Sequence, residues 1–223
     1  MIKLWKPDGL FAGQTVAVLG SGPSLTQEAA DSVRHLPRVC ARWAAKMAPD
    51  ADIVISIDGP PSNGFWSWAM ENCTGKLLCG LQTDKLPDEV GYYWQRYESV
   101  TLSTVPCHII EFRNNGLSAI HIAEQGGAAK IMLLGFDPDK PLWFYDIEAS
   151  THVPILYPGL AEGLEQLIAK LRAKGIEVEH VKPAVKTISL SDTSAPFWTD
   201  RESMPIDAEP SSRKRKRSKQ HCR

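Results

Sequence analysis

Six consecutive residues, Gly20-Ser21-Gly22-Pro23-Ser24-Leu25, follow a continuous apolar run over 15–19 and precede a segment of helical pattern. A buried strand that runs into a glycine turn and then a helix start makes an anion site. The first amides of the helix have no partner within it, and the helix dipole places partial positive charge there. In this reading Gly20 allows the tight turn and Gly22 lets a ligand approach the backbone. Pro23 suits a first helical turn, and Ser24 with Gln27 has the spacing of a capping box. The chemistry served would be the holding of a phosphate. Position 25 is Leu25, so the run is not the G-x-G-x-x-G dinucleotide fingerprint, and no Gly-Lys-Ser/Thr follows to make a Walker A loop. NAD dehydrogenases and P-loop kinases are set aside on that ground. The same glycines would also serve a plain strand-to-helix turn.

Other reactive residues fall where strands should end. Asp58 and Asp137 could each hold Mg²⁺ beside a triphosphate, or simply form turns, since each stands next to Gly-Pro or Pro. Arg42 could pair with a phosphate. Asn115 could cap the helix that follows it or hydrogen-bond a ribose or phosphate. His152 has the ordinary pKa of a general base working near neutrality. His121 lies within a predicted helix and should pack. Trp66 and Trp68 could stack on a base, although packing is the commoner fate of tryptophan.

The elements that must position these residues alternate between strand and helix. Strands are predicted over 15–20, 39–42, 51–58, 76–81, 99–103, 130–135 and 176–181. Helices are predicted over 25–35, 117–125 and 160–174. The last helix carries Leu160, Leu164, Leu167, Ile168 and Leu171 on one face, and Gly175 should stop it in a left-handed conformation. The alternation predicts an α/β, Rossmann-like three-layer fold with a mainly parallel sheet. Ligands of such sheets bind beyond the carboxyl ends of the strands, near the switch in strand order. Gly20, Arg42, Asp58 and Asp137 all fall at such ends.

The glycine run resembles the G-x-G-P-S-L signature shared by the archaeal 6-hydroxymethylpterin diphosphokinase-like domain and the bacterial sialyltransferases that use CMP-sialic acid. Bacteriophage proteins of the same general type carry it too. The stretch Pro49-Asp50-Ala51-Asp52-Ile53-Val54-Ile55-Ser56-Ile57-Asp58 is similar to a strand of the diphosphokinase-like domain. Asn115-Gly116-Leu117-Ser118-Ala119, leading through Gly126 and Gly127 to Gly135-Phe136-Asp137, is similar to the second signature of both families. Together these cover roughly residues 14 to 183; the segment 139–150 matches neither family well, and Arg42 stands where the sialyltransferases often have Asn. The resemblance implies a nucleotide or nucleotide-sugar ligand contacted by Gly20, Ser21, Gly22, Pro23, Ser24, Arg42, Asp58, Asn115, Gly116 and Ser118. It leaves two chemistries open. In diphosphoryl transfer from ATP, Asp58 or Asp137 would hold Mg²⁺. In metal-independent glycosyl transfer from a CMP-sugar, His152 would activate the acceptor and Tyr145 would stabilise the leaving phosphate. A third expectation is a non-catalytic nucleotide-binding or interaction protein of a phage, because fold does not fix function.

The remaining composition bounds the rest. With 223 residues, a 43% hydrophobic share and a net charge of -1, the chain fits one domain over 1–185 that builds a core without staples. Residues 186–223 read as an extended, largely disordered tail, rich in Ser, Thr, Asp and Pro and ending in the basic block 213–217. That block could bind nucleic acid through phosphates, though a solvated tail explains it as well. Five cysteines, none in a C-x-x-C pair, imply a reducing compartment and no structural zinc. No segment has the apolar length to cross a bilayer, and residues 1–7 lack the pattern of a signal peptide. The expected location is the cytoplasm, that of the host if the chain is phage-encoded. The sequence does not set the oligomeric state.

Overall fold

The computed structural model describes residues 5–57, 64–80, 90–92, 94–96, 108–110, 114–138 and 160–181. Its centre is a parallel sheet of seven strands. They are β1 (Thr15–Leu19), β2 (Arg38–Ala41), β3 (Ile53–Ser56), β4 (Lys76–Cys79), the two-residue β5 (Gly91–Tyr92), β8 (Lys130–Leu134) and β9 (Glu177–His180). The order across the sheet is β5-β4-β3-β2-β1-β8-β9. A separate two-stranded parallel pair joins β6 (Trp94–Arg96) to β7 (His108–Ile110). The predicted strand over 99–103 lies outside the described residues, as do the 185 boundary and the tail. No described helix is long and apolar enough to cross a membrane.

The inner strands are short and mostly apolar because both faces are covered, whereas the edge strand β9 carries the exposed Glu177 and Glu179. Side chains alternate from face to face along each strand. Val16 and Val18 of β1, Val39 and Ala41 of β2, and Ile53 and Ile55 of β3 join one core cluster. That cluster includes Leu117, Ile120 and Ala123 of α3 (Asn115–Gln125) and Leu164, Leu167 and Leu171 of α4 (Leu160–Ala173). Ala17, Leu19, Cys40 and Val54 join the other cluster. It includes Ala30 of α1 (Gln27–Ser32), Ala44 and Ala45 of a 3-10 turn (Arg42–Lys46), and Phe65, Trp66 and Ala69 of α2 (Phe65–Asn72). This is the expected α/β Rossmann-like arrangement of three layers. From β1 the chain proceeds through α1 and outward along β2, β3 and β4, while β8 lies on the other flank of β1. The switch in strand order therefore falls between β1 and β8.

Several boundaries differ from those predicted, each for a local reason. Helix α1 starts at Gln27, because Thr26 caps it by accepting from the Ala29 amide at 3.1 Å. The Ser24–Gln27 box does not form: Gln27 donates instead to Asp31 Oδ1 and to the Met47 carbonyl. Strand β2 ends at Ala41, and Arg42 turns the chain with φ 48° into the 3-10 turn. Gly175 takes φ 83° after α4, as predicted. Helix α2 was not foreseen. Its tryptophans pack: Trp66 is buried, and Trp68, half-buried, meets Trp43 at 5.7 Å beneath Lys46.

Candidate functional site

The loop after β1 is bound to the loop after β8. Gly20 N–H donates to Leu134 O at 2.7 Å, Gly22 N–H to Gly135 O at 2.8 Å, and Ser24 N–H to the carboxylate Oδ2 of Asp137 at 2.8 Å. These three bonds continue the β1–β8 pairing past the sheet edge and across the switch point. A side chain at position 22 would begin 2.5 Å from Asp137 Oδ2 and 2.6 Å from Gly135 O, closer than real Cβ contacts allow. The missing Cβ of Gly22 thus makes room for the protein's own chain, which corrects the expectation that it admits a ligand. The Ser24 amide, expected to face a phosphate, is taken by Asp137. Pro23 lies half-buried at the crest of the same loop, outside the helix it was expected to open.

A second set of contacts gathers over the carboxyl ends of β1, β2 and β3. Ser21 Oγ donates to the Ala41 carbonyl at 3.0 Å, which ties the β1 loop to the end of β2. Arg42 follows at once, half-buried, in a left-handed conformation that L side chains rarely adopt. Such conformations cost free energy and gather at functional positions. The Ile57 amide, just past β3, donates to Asn115 Oδ1 at 2.7 Å. That bond spans 58 positions and draws the start of α3 over the end of β3. Of the two expectations for Asn115, the capping role falls to Asn114, whose Oδ1 accepts from the Gly116 and Leu117 amides at 2.8 and 3.1 Å. Asn115 is left to bind the sheet. Gly116 sits against the Phe136 ring, where a Cβ would stand 2.9 Å from it. Ser118 is fully buried, and its hydroxyl has no hydrogen-bond partner among the described residues.

The structure thus sorts the predicted residues into three groups. Ser21, Arg42 and Asn115 come together from three elements at neighbouring strand ends. Gly20, Gly22, Ser24 and Asp137 make the clasp between β1 and β8. Asp58, Tyr145 and His152 lie outside the described residues. Three residues take parts that local pattern does not assign. Asn114 has the capping residue type, as does its neighbour Asn115, and spacing does not choose between them. Gly135, with φ 70°, and Phe136 belong to the second signature, but their contacts with β1 and α3 are set by the tertiary structure.

Of the two residues expected to hold Mg²⁺, Asp58 lies outside the described residues, and Asp137 accepts the Ser24 amide through Oδ2. Among the described residues no group of three or more His, Cys, Asp or Glu side chains could hold a metal ion.

His121 is the most perturbed titratable group on α3. It is 1% exposed, and its Nε2 lies 3.4 Å from Glu124 Oε2 and 3.4 Å from Gln125 Nε2. Burial, with a smaller contribution from the Lys174 charge, pushes its pKa down to about 3, so the ring is neutral near pH 7. Lys174 Nζ pairs with the other Glu124 oxygen at 2.7 Å. This packing agrees with the expectation for His121 and removes it from the acid–base candidates.

Compared with protein-family models and with curated proteins, the chain matches none.

Proposed function

We propose that the protein binds a mononucleotide or nucleotide-sugar over the carboxyl ends of β1, β2 and β3 and transfers a group from it without a metal ion. The observation that carries this reading is the convergence of Ser21, Arg42 and Asn115 at adjacent parallel strand ends, beside the switch in strand order. One half of a Rossmann-like sheet is suited to a single nucleotide at that place. Arg42 supplies positive charge for a phosphate, and the start of α3 adds the favourable end of an 11-residue helix dipole. The resemblance to the CMP-sialic-acid sialyltransferases supports the same ligand class. Between the two transfer chemistries, the engagement of Asp137 with Ser24 favours the one that needs no Mg²⁺. His152 and Tyr145 are the residues proposed to activate the acceptor and stabilise the departing phosphate.

The test is thermal stabilisation by CMP, a CMP-sugar and ATP, each with Mg²⁺ and with EDTA. The expected result is a shift with CMP or the CMP-sugar that EDTA leaves intact and that Arg42→Ala removes. A shift seen only with ATP and Mg²⁺ would return the assignment to diphosphoryl transfer. No shift with any of them at millimolar concentration would refute nucleotide binding.

A further inference from the structure

The clasp between β1 and β8 assigns Asp137 a role different from that of an acid–base group or metal ligand. We infer that Asp137 is a positioning residue. By accepting the Ser24 amide it holds the β1 loop in the one place from which Ser21 reaches β2 and borders Arg42. The inference rests on the proposed nucleotide site and says how that site is kept in shape.

The loop over 20–24 is fixed at four points. Two are main-chain bonds to the β8 end, from Gly20 to Leu134 and from Gly22 to Gly135. The third is the Ser21 hydroxyl on Ala41, towards β2. The fourth is the side-chain hydrogen bond that Asp137 accepts from Ser24, which spans 113 positions. Ser21 lies between the β8 anchors and the β2 anchor, so its hydroxyl stays on Ala41 only while both sides hold. The next residue after Ala41 is Arg42, half-buried and with a left-handed backbone of φ 48°.

The fit around the carboxylate is close. Gly22 carries no Cβ where Asp137 Oδ2 lies, and Gly135 takes φ 70°, which turns the chain so that Asp137 comes back over the loop. An ionised acceptor on an amide makes a stronger bond than a neutral one. Asp at 137 therefore suits an anchor, and Asn, which keeps a carbonyl oxygen, should serve nearly as well. A metal ligand or a general acid–base group would not tolerate that exchange.

The experiment compares the wild-type protein with Asp137→Ala and Asp137→Asn. Each is titrated with CMP and with ATP, with Mg²⁺ and with EDTA, at a temperature where circular dichroism shows all three folded. Amide exchange at Ser24 is followed alongside. Asp137→Ala should weaken binding about tenfold, the scale of one lost hydrogen bond of this kind, and speed exchange at Ser24. Asp137→Asn should restore most of the affinity, equally in Mg²⁺ and in EDTA. Unchanged affinity in Asp137→Ala, with only its melting point lowered, would overturn the positioning role and leave a purely structural clasp. Equal loss in both variants confined to the Mg²⁺ titrations would overturn it in favour of a metal ligand. Absence of binding by the wild-type protein would bring down the nucleotide reading and this inference with it, an outcome distinct from the other two.

Discussion

Exchanging His121 for glutamine should remove much of the protein's loss of stability on mild acidification. In the folded chain the imidazole is buried among Glu124, Gln125 and Lys174 and is held neutral, with its pKa near 3 against an ordinary 6.5. A histidine with a depressed folded pKa contributes stability that is fully present above about pH 6.5. That stability is lost as pH falls towards 3, because the unfolded chain takes up the proton first. Between pH 7 and pH 5 the linkage amounts to RT ln[(1 + 10^1.5)/(1 + 10^−0.5)], or about 2 kcal/mol. The figure hardly depends on the folded value, since any folded pKa below about 4.5 leaves the ring neutral over most of that range. The 2.7 Å Glu124–Lys174 pair is present in both proteins and cancels in the comparison. Urea unfolding at pH 7 and pH 5 measures the effect: wild type should lose about 2 kcal/mol more than His121→Gln across the interval. If the two proteins lose the same amount, the imidazole titrates normally in the fold and the account of its burial is wrong.

Two further outcomes follow from the same geometry. Gly22→Ala places a methyl within 2.6 Å of both Asp137 Oδ2 and the Gly135 carbonyl, so the clasp must open, and stability should fall by about 1–3 kcal/mol in urea unfolding; an unchanged midpoint would show the loop free to move. Asp50 is hydrogen-bonded by the buried Arg38 guanidinium, with Arg34 also near, and its carboxyl is held below the ordinary value of 3.8. The stability this contributes is present above that value and lost as pH falls through the folded one. Arg38→Met should move the Asp50 midpoint upward in an NMR pH titration, and a midpoint that stays in place would deny the pairing.

Much of the scaffold could be read from local pattern. The apolar run over 15–19, the strand before Ile57 and the run over 130–134 are covered on both faces, and a strand so covered is apolar at most positions, with Thr15, Ser56 and Lys130 at the ends. The amphipathic face of α4 and the glycine behind it were equally plain, because a helix buried on one side repeats at 3.6 residues. Boundaries failed where two residues competed for one task. Thr26 displaced Ser24 as the cap of α1, and Asn114 displaced Asn115 on α3. Each time the displaced residue had a distant partner, Asp137 for the Ser24 amide and Ile57 for the Asn115 side chain, that local spacing could not disclose.

By itself the sequence determined most of the buried strands and the helices that flank β1 and β8, and hence the α/β class, since periodicity depends only on which faces meet water; α2 and the short strands β5, β6 and β7 were not legible in it. It also put Gly20, Ser21, Arg42 and Asp137 at the ends of those strands or within a few residues of them. The tertiary structure alone decided what they face. The order β3-β2-β1-β8 sets Asp137 beside Ser24 and far from the end of β3, and sets Asn115 against Ile57. Strand order is a property of contacts between residues tens of positions apart. A glycine that admits a ligand and a glycine that admits the chain's own carboxylate look the same until that order is known.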